Sequence, residues 1–433
     1  LCLFFIINSV AVYFVNTYSV IIDESMIGNV LNTKYEESSS FFSFKLIAYV
    51  MLLGIIPSIL IIKAKIINVT LKRFSAIASL ALLFILALIF ANASNWLWID
   101  KNSKTLGGLA MPWSYSVNVS LFYVHQYQKN KKEILLPDAA IKDSQKSVVV
   151  LVIGESARSQ NFSLYGYKKN TNPLLSKTPG LFHFKASSCA TYTTAGVKCI
   201  LEHADTGELY EILPNYLYRN NAEVIWRTTN WGEPPVHIKD YQDRNALMPD
   251  CKGEGCNYDE ILLAGLKEQI QASKKDKILV VLHTSTSHGP TYSKKYPPQF
   301  ETFKPVCNSV ELGNCSRAEL VNAYDNTIVY TDYILSSVIE DLKQLKEYKS
   351  AMIFVSDHGE SLGEKNLYMH GMPLSMAPKE QYEIPFIVWM SGNSQKQLKP
   401  NEMLSQNHVF HSVLNFLNIQ SPVYNEDLNI FKQ

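Results

Sequence analysis

Three long apolar runs open the 433-residue chain, and they limit its fold more than any other feature. Roughly Leu1–Ile22, Leu46–Ile62 and Phe74–Ala91 carry no charge. Each is about long enough to cross a hydrocarbon core of about 30 Å as a helix. Buried core helices are the other reading, and three such runs with so little sequence between them argue against it. The sequence begins at Leu1 inside an apolar run, so the first span is expected to be incomplete and the chain a truncated product. Lys63, Lys65, Lys72 and Arg73 sit in the short loop between the second and third runs, which places that loop on the cytoplasmic side. The loop before it carries Asp23, Glu24, Glu36 and Glu37 against Lys34. It is expected on the opposite side, together with everything after residue 92.

Cysteine usage points the same way. Cys189/Cys199, Cys251/Cys256 and Cys307/Cys315 fall in close pairs, and Cys2 stands alone in an apolar segment. Local pairs suit disulfides or zinc ligands, but none has CxxC spacing and no second pair completes a zinc box. Three disulfides are therefore expected, in an oxidising compartment, with Cys2 free. The formal net charge is +1, and no basic cluster with interleaved aromatics occurs, which excludes a nucleic-acid binder.

The length calls for more than one unit. Residues 1–92 read as a transmembrane helical domain with three spans, 93–146 as an interfacial helix and linker, and 147–433 as a separate domain. In the first loop Asn29, Thr33 and Glu37 are spaced to share one face if that loop is helical; a solvated face is the simpler account of the spacing alone. Trp96, Trp98 and Trp113 fit a membrane-interface belt. The Val117–Gln128 region is amphipathic enough to lie along a surface, and a polar stretch with Pro137 follows.

From Ser147 the pattern changes to short apolar strands alternating with helices: Val148–Ile153, Val224–Trp226, Ile278–Leu282, Met352–Val355 and Pro385–Trp389. Helices are expected over Asp259–Ser273 and Arg317–Lys346. Continuous apolar strands predict an α/β fold with a parallel sheet covered on both faces. In such a sheet the strand ends converge on one edge, where ligands bind. Polar groups cluster there: Glu155 after the first strand, Asn230 after the second, His283 and His288 after the third, Asp357 and His358 after the fourth. His370 returns to the same loop system twelve residues after His358. Glu, Asp and His together suit zinc or a similar divalent ion. A nucleophile is available in the small-residue turn from Cys189 to Cys199, which offers Thr191, Thr193 and Thr194 near a predicted helix N-terminus, where the dipole favours an alkoxide or a phosphate. A free threonine hydroxyl is a poor nucleophile and needs a metal to lower its pKa.

The segments IGESARSQNFSLYGY (Ile153–Tyr167), SCATYTTAGVKC (Ser188–Cys199), SHGPTY (Ser287–Tyr292), NAYDNTIVYTDY (Asn322–Tyr333) and SDHGESLGEKNLYMHGMP (Ser356–Pro373) resemble the membrane-bound phosphoethanolamine transferases. That family modifies lipid A and related surface glycans and includes the mobile colistin-resistance enzymes. The resemblance covers nearly the whole chain, in order, and is most specific in the second half. It implies an alkaline phosphatase/sulfatase-like sheet sandwiched by helices, preceded by a transmembrane helical domain. It implies transfer from phosphatidylethanolamine to lipid A or another surface glycan, through a zinc-activated phosphothreonine, by a monomer. It places the chain in the bacterial inner membrane as a multi-pass protein with a periplasmic catalytic domain. By matching position it assigns Glu155, Thr193, Asp357 and His358 to at least one tightly bound zinc, with Thr193 the nucleophile. It puts His288 and His370 near the substrate phosphate, where some relatives bind a second zinc, and His283 nearby. Asn29, Thr33 and Glu37 match membrane-loop residues that approach the substrate. Members have five transmembrane helices as a rule, and the three runs here match the last three.

Some positions depart from the family pattern. Relatives carry Ser directly after the residue matching Asn230 and Lys three further on, where this chain has Trp231 and Pro234. Lys198 replaces a usual Pro, and Ser405–His411 differs from the expected form. An arylsulfatase is disfavoured, because no Cys-x-Pro-x-Arg segment is present to mature into formylglycine. A phosphoglycerol transferase also uses a threonine, but the cysteine pattern does not suit it. A non-catalytic membrane sensor would be marked by loss of Thr193 or of a metal ligand, and none is lost.

Overall fold

The computed structural model describes residues 1–33, 38–39, 41–65, 69–91, 103–129, 133–392, 398 and 403–431. The chain divides into two compact units, Leu1–Leu31 with Phe42–His125 and Asn32–Phe41 with Gln126–Gln433.

The first unit is helical: α1 (Cys2–Tyr18), α2 (Glu24–Asn32), α3 (Phe44–Lys63), α4 (Leu71–Ala91) and α5 (Trp113–Lys129). Of these, α3 and α4 are long and apolar enough to cross a membrane; at 1.5 Å per residue, α4 is roughly 31 Å long. The first apolar run is shorter than the sequence suggested. It stops at Tyr18, with Ser19 left-handed at φ 57°, which gives a helix over Cys2–Tyr18. A π-turn over Val50–Ile55 precedes Pro57 in α3. Pro57 has no N–H to donate, and a local i→i+5 ladder absorbs the missing bond. Ala11, Ile22, Ile27 and Tyr115 form the core of this unit, with Val119 and Phe122 of α5 packed against it. The helix expected to lie along a surface thus has one face in protein. Trp113 is exposed, whereas Trp96 and Trp98 lie outside the described residues. Asn29 sits on α2, but α2 ends at Asn32 and leaves Thr33 non-helical. The shared helical face therefore stops short of Thr33, as expected where the weak helix formers Asn32 and Thr33 meet. Glu37 lies outside the described residues.

The second unit is built on an eight-stranded sheet: β1 (Ser147–Gly154), β2 (Leu181–Ser187), β3 (Glu223–Thr228), β4 (Asp240–Asp243), β5 (Lys277–His283), β6 (Lys349–Ser356), β7 (Glu383–Met390) and β8 (Leu404–Ser405). Their order is β8-β2-β7-β6-β1-β5-β3-β4. Every residue of β1 and β5 is buried, as continuous apolar strands covered on both faces require. The sheet is mixed and not wholly parallel. β7 runs antiparallel to both β2 and β6, and β2 is a strand the apolar pattern did not reveal.

Helices α6 (Thr193–Leu201) and α7 (Arg317–Gln344) matter most to the site. Val197 and Ile200 of α6 pack on one face of the sheet with Leu151, Val281 and Ile353. α7 begins in a Ser316/Glu319 capping box, and the two reciprocal bonds fix its start. The helix expected over Asp259–Ser273 is broken. A short turn, Asp259–Leu263, is followed by Gly265 at φ 61° and then a helix over Leu266–Ala272; left-handed backbone is cheap for glycine and ends the first piece. Cys189–Cys199, Cys251–Cys256 and Cys307–Cys315 are disulfide-bonded, and Cys2 is free.

Candidate metal centre and nucleophile

β1 pairs in parallel with both β6 and β5, so Gly154 lies opposite Ser356 and Ile153 opposite His283. The next residues, Glu155 and Asp357, therefore leave the sheet side by side. Their carboxylate oxygens and a ring nitrogen of His358 lie within 4.8 Å of one another, all buried. His358 donates Nδ1–H to the Gly359 carbonyl at 2.8 Å, so Nε2 is the atom that faces the cluster. It stands 3.4 Å from Glu155 Oε1 and 3.3 Å from Asp357 Oδ2. A backbone carbonyl on the far nitrogen is the usual way a ligating imidazole is oriented.

Thr193 closes the set. It is the first residue of α6 and 3% exposed. Its Oγ1 lies 3.3 Å from both Glu155 Oε2 and His358 Nε2. The helix packs this tightly because Gly196 has no side chain: a Cβ there would come within 2.2 Å of the Asp357 carbonyl oxygen. Gly196→Ala is expected to push α6 off the strand end. That should cost about 1–3 kcal/mol of stability and lower activity by about a hundredfold through misplaced Thr193. Paired melting and turnover measurements check this, and wild-type turnover would refute the close-approach account.

The surrounding groups hold these side chains in place. Asp357 Oδ1 accepts the backbone N–H groups of Ser156 at 3.0 Å and His358 at 2.7 Å. Asp357 Oδ2, also buried, has no hydrogen-bond donor among the described residues. Asn230 donates Nδ2–H to Glu155 Oε2 at 2.7 Å and to the Thr284 carbonyl at 2.9 Å, and Ser156 Oγ donates to Glu155 Oε1 at 2.7 Å. Asn230, one of the strand-end candidates, is thus held on a carboxylate of the cluster.

Burial, and then the negative charge of Glu155, push Asp357 up to about 7. Burial opposes protonation of His358, but Asp357 and Glu155 raise it to about 10. Against burial, the hydrogen bond and charge of His358 hold Glu155 well below the usual carboxylate range. Two carboxylates this close and this dry need a cation between them. The buried, donorless Asp357 oxygen fits that need, and the mixed oxygen and nitrogen donors suit zinc better than magnesium, which prefers octahedral oxygen.

The histidines divide. His370 lies with its ring 4.2 Å from that of His358 and 5.6 Å from that of His288, and its Nδ1 is 3.3 Å from Glu360 Oε2. Burial, and then the charge of His358, lower its pKa. His288 donates Nδ1–H to the Gly289 carbonyl at 2.6 Å. The loop of His370 is tied to the nucleophile turn, since Gly371 N–H meets the Thr191 carbonyl at 2.8 Å. His283 is different. It is fully buried, edge-on to Trp226, with Nδ1 3.4 Å from Glu233 Oε2, and so supports the loop after Asn230 from beneath. That loop lies on the nucleophile: a Cβ at Gly232 would meet Thr193 Cγ2 at 3.1 Å. Sequence reasoning missed Ser156 and Glu360. Both stand inside segments already singled out, and Glu360 is a carboxylate two residues past His358, which was the available signal.

Comparison with known proteins places the chain in a family. The sulfatase family model matches residues 147–419, and the model described as phosphoethanolamine transferase EptA/EptB matches residues 1–127. The chain is 43% identical to phosphoethanolamine transferase EptA of Helicobacter pylori, covering 99% of this chain and 84% of that one. It is 31% identical to phosphatidylethanolamine transferase Mcr-1 of Escherichia coli, over 90% of this chain and 77% of that one. Among solved structures, the integral membrane lipooligosaccharide phosphoethanolamine transferase A of Neisseria meningitidis superposes with a TM-score of 0.91 at 28% identity, covering 99% and 86%. A threonine at a helix N-terminus beside a buried acidic and histidine cluster thus sits in a chain that these proteins match over nearly its whole length, and the chain belongs to the phosphoethanolamine transferases of the alkaline phosphatase/sulfatase superfamily.

Proposed function

We propose that this transferase takes phosphoethanolamine from phosphatidylethanolamine and passes it to lipid A or another surface glycan, by two displacements through Thr193. The observation that carries this reading is the Thr193 hydroxyl, 3.3 Å from both Glu155 and His358 at the start of α6. Glu155, Asp357, His358 and Thr193 would hold the zinc. When bound, the ion lowers the hydroxyl's pKa and offsets phosphate charge. In the first displacement Thr193 Oγ1 passes its proton to His288 or His370, directly or through water, and attacks phosphorus. The bond from phosphorus to the diacylglycerol oxygen breaks, and His288 or His370 protonates that oxygen, directly or through water. The low pKa of His370 leaves it neutral at physiological pH, so it gains its proton within the cycle. In the second displacement an acceptor phosphate or hydroxyl oxygen attacks the phosphothreonine, and the Thr193 oxygen leaves and recovers a proton. The backbone N–H groups at the start of α6 favour the charge that builds on phosphate.

Both lipids lie at the outer leaflet, which fits a multi-pass inner-membrane protein with residues 147–433 as a periplasmic catalytic domain, joined through 93–146 to a membrane domain over 1–92. The resemblance adds Asn29, Thr33 and Glu37 as donor contacts, and we take the working unit to be a monomer. Mass spectrometry of lipid A and surface glycans from cells expressing the full-length protein tests the reading. The expected result is a phosphoethanolamine adduct that is absent from cells carrying Thr193→Ala. Identical glycolipids in the two strains would overturn it.

A further inference from the structure

We propose that Gln406 is a positioning residue of this reaction: its side-chain amide clips the disulfide-closed turn that carries Thr193 to the strand end that carries Asp357 and His358. The inference rests on the metal and nucleophile reading above.

The edge of the sheet delivers Gln406 to this place. β8 pairs in parallel with β2, with Ser405 opposite Ser187, so the next residue emerges beside Cys189. Gln406 is 1% exposed. Its Oε1 accepts the Cys189 backbone N–H at 3.0 Å. Its Nε2 donates to the Asp357 carbonyl at 2.6 Å and to the Ser356 carbonyl at 3.0 Å. Both amide N–H groups and the oxygen are used, and the partners fix the orientation, because a backbone N–H needs an acceptor and two carbonyls need donors. The neighbouring Asn407 donates Nδ2–H to the Cys199 carbonyl at 3.2 Å. Two consecutive residues therefore hold both ends of the Cys189–Cys199 loop, and one of them also holds the metal-ligand strand end. The Asp357 carbonyl is the same group against which Gly196 packs, so Gln406 and α6 bear on a single atom from two directions.

A glutamine suits this place because one head group supplies a donor and an acceptor. Methionine has similar volume but leaves a buried N–H and two carbonyls short of partners. Glutamate keeps the acceptor and sets a second oxygen against those carbonyls. Either change lets the Thr193 turn drift from the Glu155–Asp357–His358 cluster, and a shift of about 1 Å is enough to cost about a hundredfold in rate.

The test uses the full chain in detergent, comparing wild type, Gln406→Met, Gln406→Glu and a control, Asn429→Ala. Asn429 is also 1% exposed and clips Phe431 through two hydrogen bonds, at 2.7 and 3.0 Å, outside the site. Zinc Kd by chelator competition, kcat and KM for diacylglycerol release, and Tm are read for each. The Gln406 variants are expected to lose at least about tenfold in kcat with KM little changed, and to bind zinc about tenfold more weakly. The control is expected to lower Tm without moving kcat or zinc Kd. Gln406 variants that lose Tm like the control but keep wild-type kcat and zinc Kd would overturn the proposal. If Gln406→Met does not fold, Gln406→Glu decides on the same criteria. Wild-type protein that binds no zinc, or an Asp357→Ala chain that binds it normally, would refute the underlying reading instead, whatever the Gln406 variants do.

Discussion

Thr193→Ala is expected to abolish diacylglycerol release while leaving the fold in place. The substitution removes one hydroxyl and one methyl from a residue at the first position of α6, where Tyr192 is the N-cap and no side-chain cap is lost. The structural cost should be about 1 kcal/mol, typical of a single buried change without a large cavity. The catalytic cost is of another order. With no oxygen at this position, the first displacement has no nucleophile, and losses of about a thousandfold or more follow when such a group is deleted. Thr193→Ser keeps the oxygen but loses the Cγ2 methyl that lies under Gly232, so its rotamer is less confined. It is expected to retain activity reduced by about tenfold, within the range that positioning contributes. Isolation of a phosphoethanolamine adduct on Thr193 from donor-treated protein supports the covalent step. Normal donor turnover by Thr193→Ala would end both the nucleophile assignment and the two-step scheme.

The parts of this arrangement that the sequence displayed are those set by continuous burial. β1, β3, β5 and β6 carry continuous apolar runs because both faces are covered, and a polar residue at the end of such a strand has few places to go. Glu155, Asp357 and His358 were therefore legible as neighbours. Strand direction was not. β7 is buried on both faces like its neighbours, and an apolar run reads the same in either direction, so its antiparallel course was missed. β2 alternates exposed and buried residues next to the short outer strand β8, and its sequence LFHFKAS shows no continuous run. The break at Gly265 depends on a single left-handed residue. Gln406 and Asn230 act through hydrogen bonds to groups far away in sequence, and no spacing rule reports such partners. The family resemblance supplied roles but not partners: here Asn230 grips Glu155 and His283 lies buried beside Glu233.

Removing the metal is expected to reverse the pH dependence of thermal stability. In the metal-free chain Asp357 is raised to about 7 and His358 to about 10, against ordinary values of about 3.9 and about 6.5. Both groups hold their protons more tightly folded than unfolded. Their contribution is complete below the unfolded pKa and is lost as pH rises through the folded one. For Asp357 that window runs from about 4 to about 7, and for His358 from about 6.5 to about 10. The Tm of chelator-treated protein should therefore fall between about pH 6 and about pH 9. Zinc competes with the same protons, since only the deprotonated carboxylates and the free Nε2 can ligate. Its affinity rises over that interval, binding releases protons, and the zinc-loaded Tm should hold or climb. The gap between the two curves is the signature. Asp357→Ala removes the oxygen that has no hydrogen-bond donor among the described residues and should cut retained zinc to below about a tenth, because a structural carboxylate ligand is lost outright. Melting curves at both pH values, with and without zinc, decide the matter. A metal-free Tm that rises across the interval, or an Asp357→Ala protein with full metal and activity, would show that the cluster of Glu155, Asp357 and His358 is not where the ion is held.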